Sequence, residues 1–230
     1  MRSATRASRM NRYAGHNEYE IHATSRIAVQ GRSSMKTLTI AFLLWPMVAV
    51  AQDTAQVRRM FEAGQYQQVI ETADAAASPE AVYTAAQSYQ KLGSAEEARG
   101  MYARLAQRPE DDAWHFVGLS GQQLLDDQTD AALESARRAV ELAGQVPEVH
   151  YQLGLVLAKR QDWGGASAAF DRVAELSPTS AYAHYYGGLM HYRAGRPDRM
   201  ANHFEQFLKL APDSPERPEV VQIMRTVRGR

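Results

Sequence analysis

The sequence repeats its chemistry every thirty-four residues, and no other feature limits the possible folds as strongly. Windows that begin at Pro79, Ala113, Pro147 and Ala181 superpose column by column. One column reads Ala86, Ser120, Gly154, Gly188, and another Ala98, Ala132, Ala166, Met200. Two further columns hold Tyr102, Ala136, Phe170, Phe204 and Leu105, Ala139, Val173, Phe207. A unit this short cannot bury its apolar face alone, so successive units must stack and share one continuous core. Small residues let paired helices approach closely, and the large apolar ones fill the space between neighbouring pairs.

Each window carries two helical stretches. Tyr151, Leu153 and Leu157 recur at helical spacing in the third window, followed by Ala166, Phe170 and Val173. None of the windows alternates with period two, so strands are not expected. Ser78-Pro79-Glu80 reads as a cap followed by a proline at the first helical turn, and Ser94-Ala95-Glu96-Glu97 as a capping box. Gly93 and Gly195 fall between the paired helices, while Pro178 and Pro212 fall where one window gives way to the next.

The stretch from Val149 to Pro178, VHYQLGLVLAKRQDWGGASAAFDRVAELSP, resembles a tetratricopeptide repeat, with Leu153-Gly154, Leu157, Ala166, Phe170 and Pro178 at the motif positions. The windows at Pro79 and Ala181 match well. The window at Ala113 departs from the pattern, with Gln123 at an apolar place and Gly144 where the motif has proline. The resemblance implies an all-α, right-handed superhelical solenoid of antiparallel helix pairs. Its units are expected over 79–112, 113–146, 147–180 and 181–214, after a partial repeat over 52–78 and before a capping helix within 215–230.

In that family the first helices of successive repeats line a concave groove that holds a peptide or a partner helix. Carried over residue by residue, the groove here would contain Tyr83, Gln87 and Lys91 from the first full repeat, and Trp114 and Val117 from the second. Tyr151, Leu155 and Lys159 would follow from the third, and Tyr182, Tyr185, Leu189, Tyr192 and Arg193 from the fourth. Aromatic side chains give large contact area with few rotamers to freeze, the profile of binding hot spots. No groove column contains Asn, so the chaperone-tail ligands of some family members fit poorly. A protein or peptide with apolar or aromatic anchors is expected, with Lys91, Lys159 and Arg193 steering its acidic groups. Self-assembly through the terminal repeats is the structural alternative. Alanine at Tyr151, Tyr185 and Tyr192 is expected to abolish capture and leave helicity intact.

Catalytic signals are weak. Gly118-Leu119-Ser120-Gly121 brings its second glycine one place too early for a nucleophile elbow and lies mid-helix. Asp111-Asp112 and Asp126-Asp127 fall at helix ends, where carboxylates cap amides. The chain has no cysteine, which excludes thiolate chemistry and disulfides. His184, His191 and His203, with His150 one period before His184, are the candidate metal ligands of an accessory-protein alternative. Without a tight pair or a carboxylate partner in the sequence, packing is their expected role. The reading is therefore non-catalytic, with no cofactor and no metal site assigned.

Charge and the first residues address location. Seven of the 26 basic residues but only two of the 26 acidic ones lie in the first 51, so the repeats are mildly acidic and no nucleic-acid partner is expected. Met35 to Ala51 has Lys36, an apolar run from Leu38 and a terminal Ala49-Val50-Ala51, the parts of a secretory signal in order. The run is shorter than the roughly twenty residues that a membrane helix takes. Residues 35–51 are expected to be a signal peptide cleaved after Ala51, delivering the repeats to the periplasm or beyond, with an uncleaved membrane anchor as the alternative. Residues 1–34 are expected to be an over-extended reading-frame start or a disordered extension.

Overall fold

The first helices of four successive pairs start at Pro79, Ala113, Pro147 and Ala181, one period apart. The computed structural model of the chain describes residues 54–75 and 78–228. Among them lie eleven helices and no strand: α1 over 54–62, α2 Tyr66–Ala75, α3 Pro79–Lys91, α4 Ala95–Ala106, α5 Ala113–Leu125, α6 Thr129–Ala143, α7 Pro147–Lys159, α8 Trp163–Leu176, α9 Ala181–Arg193, α10 Pro197–Leu210 and α11 Arg217–Arg228. From α2 to α11 each helix packs on the next, giving stacked helix pairs within one compact unit. No described helix is long and apolar enough to cross a membrane. The expected signal peptide and the stretch before it lie outside the described residues.

Helix starts follow local chemistry in part. Ser78 Oγ accepts from the Ala81 amide at 3.2 Å, Asp112 from Trp114 at 2.9 Å and Asp162 from Gly165 at 2.9 Å. Ser94 stands at the N-cap of α4 without a side-chain cap bond, so the expected capping box does not form. Within the pairs, the turns share one geometry. The amides of Ser94, Gln128, Asp162 and Arg196 each reach back five residues to a carbonyl, at 2.8 to 2.9 Å. That closure requires a left-handed residue just before: Gly93 at φ +78°, Asp127 at +57°, Gln161 at +62° and Gly195 at +69°. Two of these four positions lack glycine and accept the conformation because the packed helices on either side fix it.

The small column sets the helix spacing. A Cβ added at Gly188 would lie 2.4 Å from the Phe204 ring, and one at Gly154 2.8 Å from the Phe170 ring. At Gly118 the neighbours would be backbone, Ala106 N at 2.4 Å and Tyr102 O at 2.5 Å. Ser120, in the column of Gly154 and Gly188, is buried and donates to the Ala132 carbonyl at 2.9 Å, which gives it a structural partner in place of a catalytic one. Gln152 Nε2 donates to the same Ser120 oxygen at 3.1 Å, and its Oε1 accepts from the Tyr83 hydroxyl at 3.0 Å. This buried polar chain ties α3, α5, α6 and α7 together, and every link has a partner.

Candidate functional site

The inner face is built from α3, α5, α7 and α9, and α1 lies across it. Phe61 of α1 packs on Tyr182 with ring centroids 5.0 Å apart. Glu62 Oε1 accepts from the Ala181 amide at 2.7 Å, capping α9 from 119 residues away in the sequence. Arg58 donates to Ser177 Oγ at 2.6 Å. Burial raises the Glu62 carboxyl to about 7, against the opposing pull of the Ala181 amide and Arg58.

The start of α11 closes the same face from the other end of the chain. Glu216 accepts from Lys91 Nζ at 2.8 Å, from the Tyr182 hydroxyl at 2.7 Å and from Ser214 at 2.6 Å. Burial favours the neutral acid, but these three donors outweigh it and hold Glu216 below its ordinary value. Glu219 accepts from the Tyr185 hydroxyl at 2.8 Å. Lys91 Nζ also lies 5.0 Å from the Tyr182 ring centroid, within cation–π range.

The thirteen groove positions therefore divide. Tyr83, Gln87, Trp114, Val117, Tyr151, Tyr182 and Tyr185 are buried. Their rings pack on one another: Tyr83 lies 6.0 Å from Trp114 and 6.4 Å from Tyr151, which meets Phe170 edge-on at 5.4 Å. Alanine at Tyr151 or Tyr185 would thus open the core, and the expectation that helicity survives such changes is corrected by this packing. Leu155 and Leu189 are half-buried, while Lys91, Lys159, Tyr192 and Arg193 are exposed. Arg193 stacks over Trp163 at 5.7 Å.

Five of the thirteen converge on an open cavity of about 450 Å³: Gln87, Lys91, Tyr151, Leu155 and Lys159. Phe61, Gln90, Leu124 and Tyr186 complete its wall. Gln87 Nε2 is buried with no hydrogen-bond partner among the described residues. Lys159 pairs with Asp127 at 2.7 Å where both side chains are solvent-exposed, so the pair is weak and exchangeable. Phe61, Tyr186 and Glu216 stand outside the groove positions expected from the repeat. The run Val57 to Phe61 has the spacing of a helix face, but nothing local indicates that it lies against α9.

Family profiles described as tetratricopeptide repeat match residues 127–181 and 151–215, and another so described matches 80–110. Among solved structures, TTC0263, a thermophilic TPR protein of Thermus thermophilus, superposes with a TM-score of 0.54 at 18% identity, covering 77% of this chain and 97% of its own. YrrB, described as a TPR protein with an unusual peptide-binding site, is 23% identical over 79% of this chain and 88% of its own, with a TM-score of 0.44. MamA is 20% identical over 63% of this chain and 84% of its own, also at 0.44. At these identities the likeness to TTC0263 concerns the fold of stacked helix pairs.

Proposed function

Because the chain belongs to the tetratricopeptide repeat family, whose members are typically non-catalytic protein-binding scaffolds, we propose that it captures a partner segment in the part of the inner face that α1 leaves open. The observation that carries this is the 450 Å³ cavity on which five groove positions converge. Its walls at Phe61, Leu124, Tyr151 and Leu155 suit an apolar or aromatic anchor. Lys159 at the rim favours a carboxylate beside that anchor, because an incoming acid can replace its exposed Asp127 partner at little cost.

A photo-crosslinking residue placed at Leu155 tests the site, with one at exposed Arg138 on α6 as the reference. The Leu155 probe should form a discrete adduct that Lys159→Glu suppresses. Equal adducts from both positions, or an adduct indifferent to Lys159, would overturn the reading.

We further propose that capture takes place outside the cytoplasm, with residues 35–51 as the export signal. Lys36, the apolar run and Ala49-Val50-Ala51 support it. N-terminal sequencing should find a chain that starts at Gln52; a retained segment 35–51 would refute cleavage.

A further inference from the structure

Three consecutive helices bring one carboxylate and several imidazoles together away from the inner face. His191 Nε2 of α9 and His203 Nε2 of α10 both lie 2.9 Å from the same oxygen, Asp171 Oδ1 of α8. These three atoms are within 4.8 Å of one another. His191 is fully buried and its Nδ1 has no partner among the described residues, so Asp171 alone anchors that ring through a polar contact. His184, two turns earlier on the same face of α9, places Nδ1 3.3 Å from His203 Nδ1 and Nε2 3.3 Å from the Pro178 carbonyl.

Counting hydrogens along this chain limits how His203 can face Asp171 to two arrangements. A carbonyl only accepts, so His184 Nε2 carries the hydrogen, and in a neutral ring its Nδ1 is then an acceptor. His203 Nδ1 must therefore donate to it. His203 Nε2, which faces the carboxylate, has two ways to do so: it carries a second hydrogen as imidazolium, or it offers a lone pair to a cation shared with Asp171. The second arrangement also takes the Nε2 lone pair of His191, whose Nδ1–H then has no acceptor among the described residues. It makes the relay from His203 through His184 to Pro178 the outer hydrogen-bond shell that fixes the tautomer of a ligating imidazole. Arg199 Nη1, 3.4 Å from Asp171 Oδ2, holds the oxygen that would not ligate.

We propose that Asp171, His191 and His203 form a binding site for a first-row divalent cation, with Zn²⁺ the best match to two imidazoles and one carboxylate. Bonds of about 2.0–2.1 Å place tetrahedral ligand atoms about 3.3 Å apart, so each 2.9 Å contact has to widen by about 0.4 Å and the two imidazole nitrogens, within 4.8 Å of each other, have to take up the same spacing. Asp171 and His203 line a shallow opening of about 390 Å³ together with Asn202, through which water would reach the fourth position. A cation there joins α8, α9 and α10 and stiffens the last two pairs.

The test uses the full chain with its affinity tag removed, stripped with chelator and titrated with Zn²⁺ by calorimetry and with Co²⁺ by visible absorption. The parent should bind one equivalent of Zn²⁺ and give the intense Co²⁺ bands of four-coordinate geometry. Asp171→Asn and His203→Gln should each weaken Zn²⁺ binding about tenfold or more, while His150→Gln, on another repeat, should not. No saturable binding by the parent, unchanged affinity in both variants, or a weak octahedral Co²⁺ spectrum would each overturn the site. Should the variants fail to fold, the parent's Co²⁺ spectrum decides by itself. The outcome is independent of partner capture, which is read at Leu155.

Discussion

Glu62→Gln tests whether α1 is seated on the inner face as described. The carboxyl of Glu62 is buried, and its Oε1 takes the Ala181 amide at 2.7 Å. Burial raises its pKa from 4.5 to about 7. Between these values the folded chain holds a proton that the unfolded chain releases, so stability must fall as pH rises. The contribution is fully present below 4.5 and lost as pH passes 7. At about 1.4 kcal/mol per pH unit, the interval corresponds to about 3 kcal/mol. Glutamine keeps an acceptor for the Ala181 amide and never ionises. Urea denaturation of parent and variant at pH 4.5 and pH 8 isolates this one group, because every other titration is common to both. The variant should match the parent near pH 4.5 and exceed it by about 3 kcal/mol at pH 8. A difference that does not change with pH, or one that grows toward acid, refutes the burial of Glu62 against α9 and with it the covered inner face.

Other expectations concern the scaffold. Gly118→Ala should destabilise by about 1–3 kcal/mol or more, and by more than Gly188→Ala, because its new Cβ meets backbone at 2.4 Å whereas the Phe204 ring can shift; thermal unfolding of the two variants gives the order. Gln161→Gly should raise the melting temperature, since φ of +62° costs a side chain about 1 kcal/mol that glycine avoids; an unchanged or lower value would mean that the turn imposes no strain. Gln152→Leu leaves the Tyr83 hydroxyl and Ser120 without their shared partner and should cost about 1–3 kcal/mol by denaturant titration. A Gln152→Leu chain as stable as the parent would mean that the polar chain through α3, α5 and α7 is not formed.

The thirty-four-residue period by itself determined the repeat unit and the helix starts. It also marked the small column at Ser120, Gly154 and Gly188, because these features arise from contacts within one unit or between adjacent units and so recur along the chain. Which positions share one face was legible for the same reason, since a column of the repeat is a face of the stack. How the two ends of the chain meet that face was not legible. Glu62 on Ala181 and Lys91 on Glu216 join residues 119 and 125 positions apart, and a pair formed once leaves no periodic trace. Those closures decided that Tyr182 is covered from both ends of the chain and that the open part of the face is the cavity bounded by Leu155 and Lys159. Likewise, His191 and His203 stood in the sequence without a carboxylate partner. Only the packing of α8 against α9 and α10 set Asp171 between them, because the direction of a side chain across a helix interface depends on how neighbouring pairs stack.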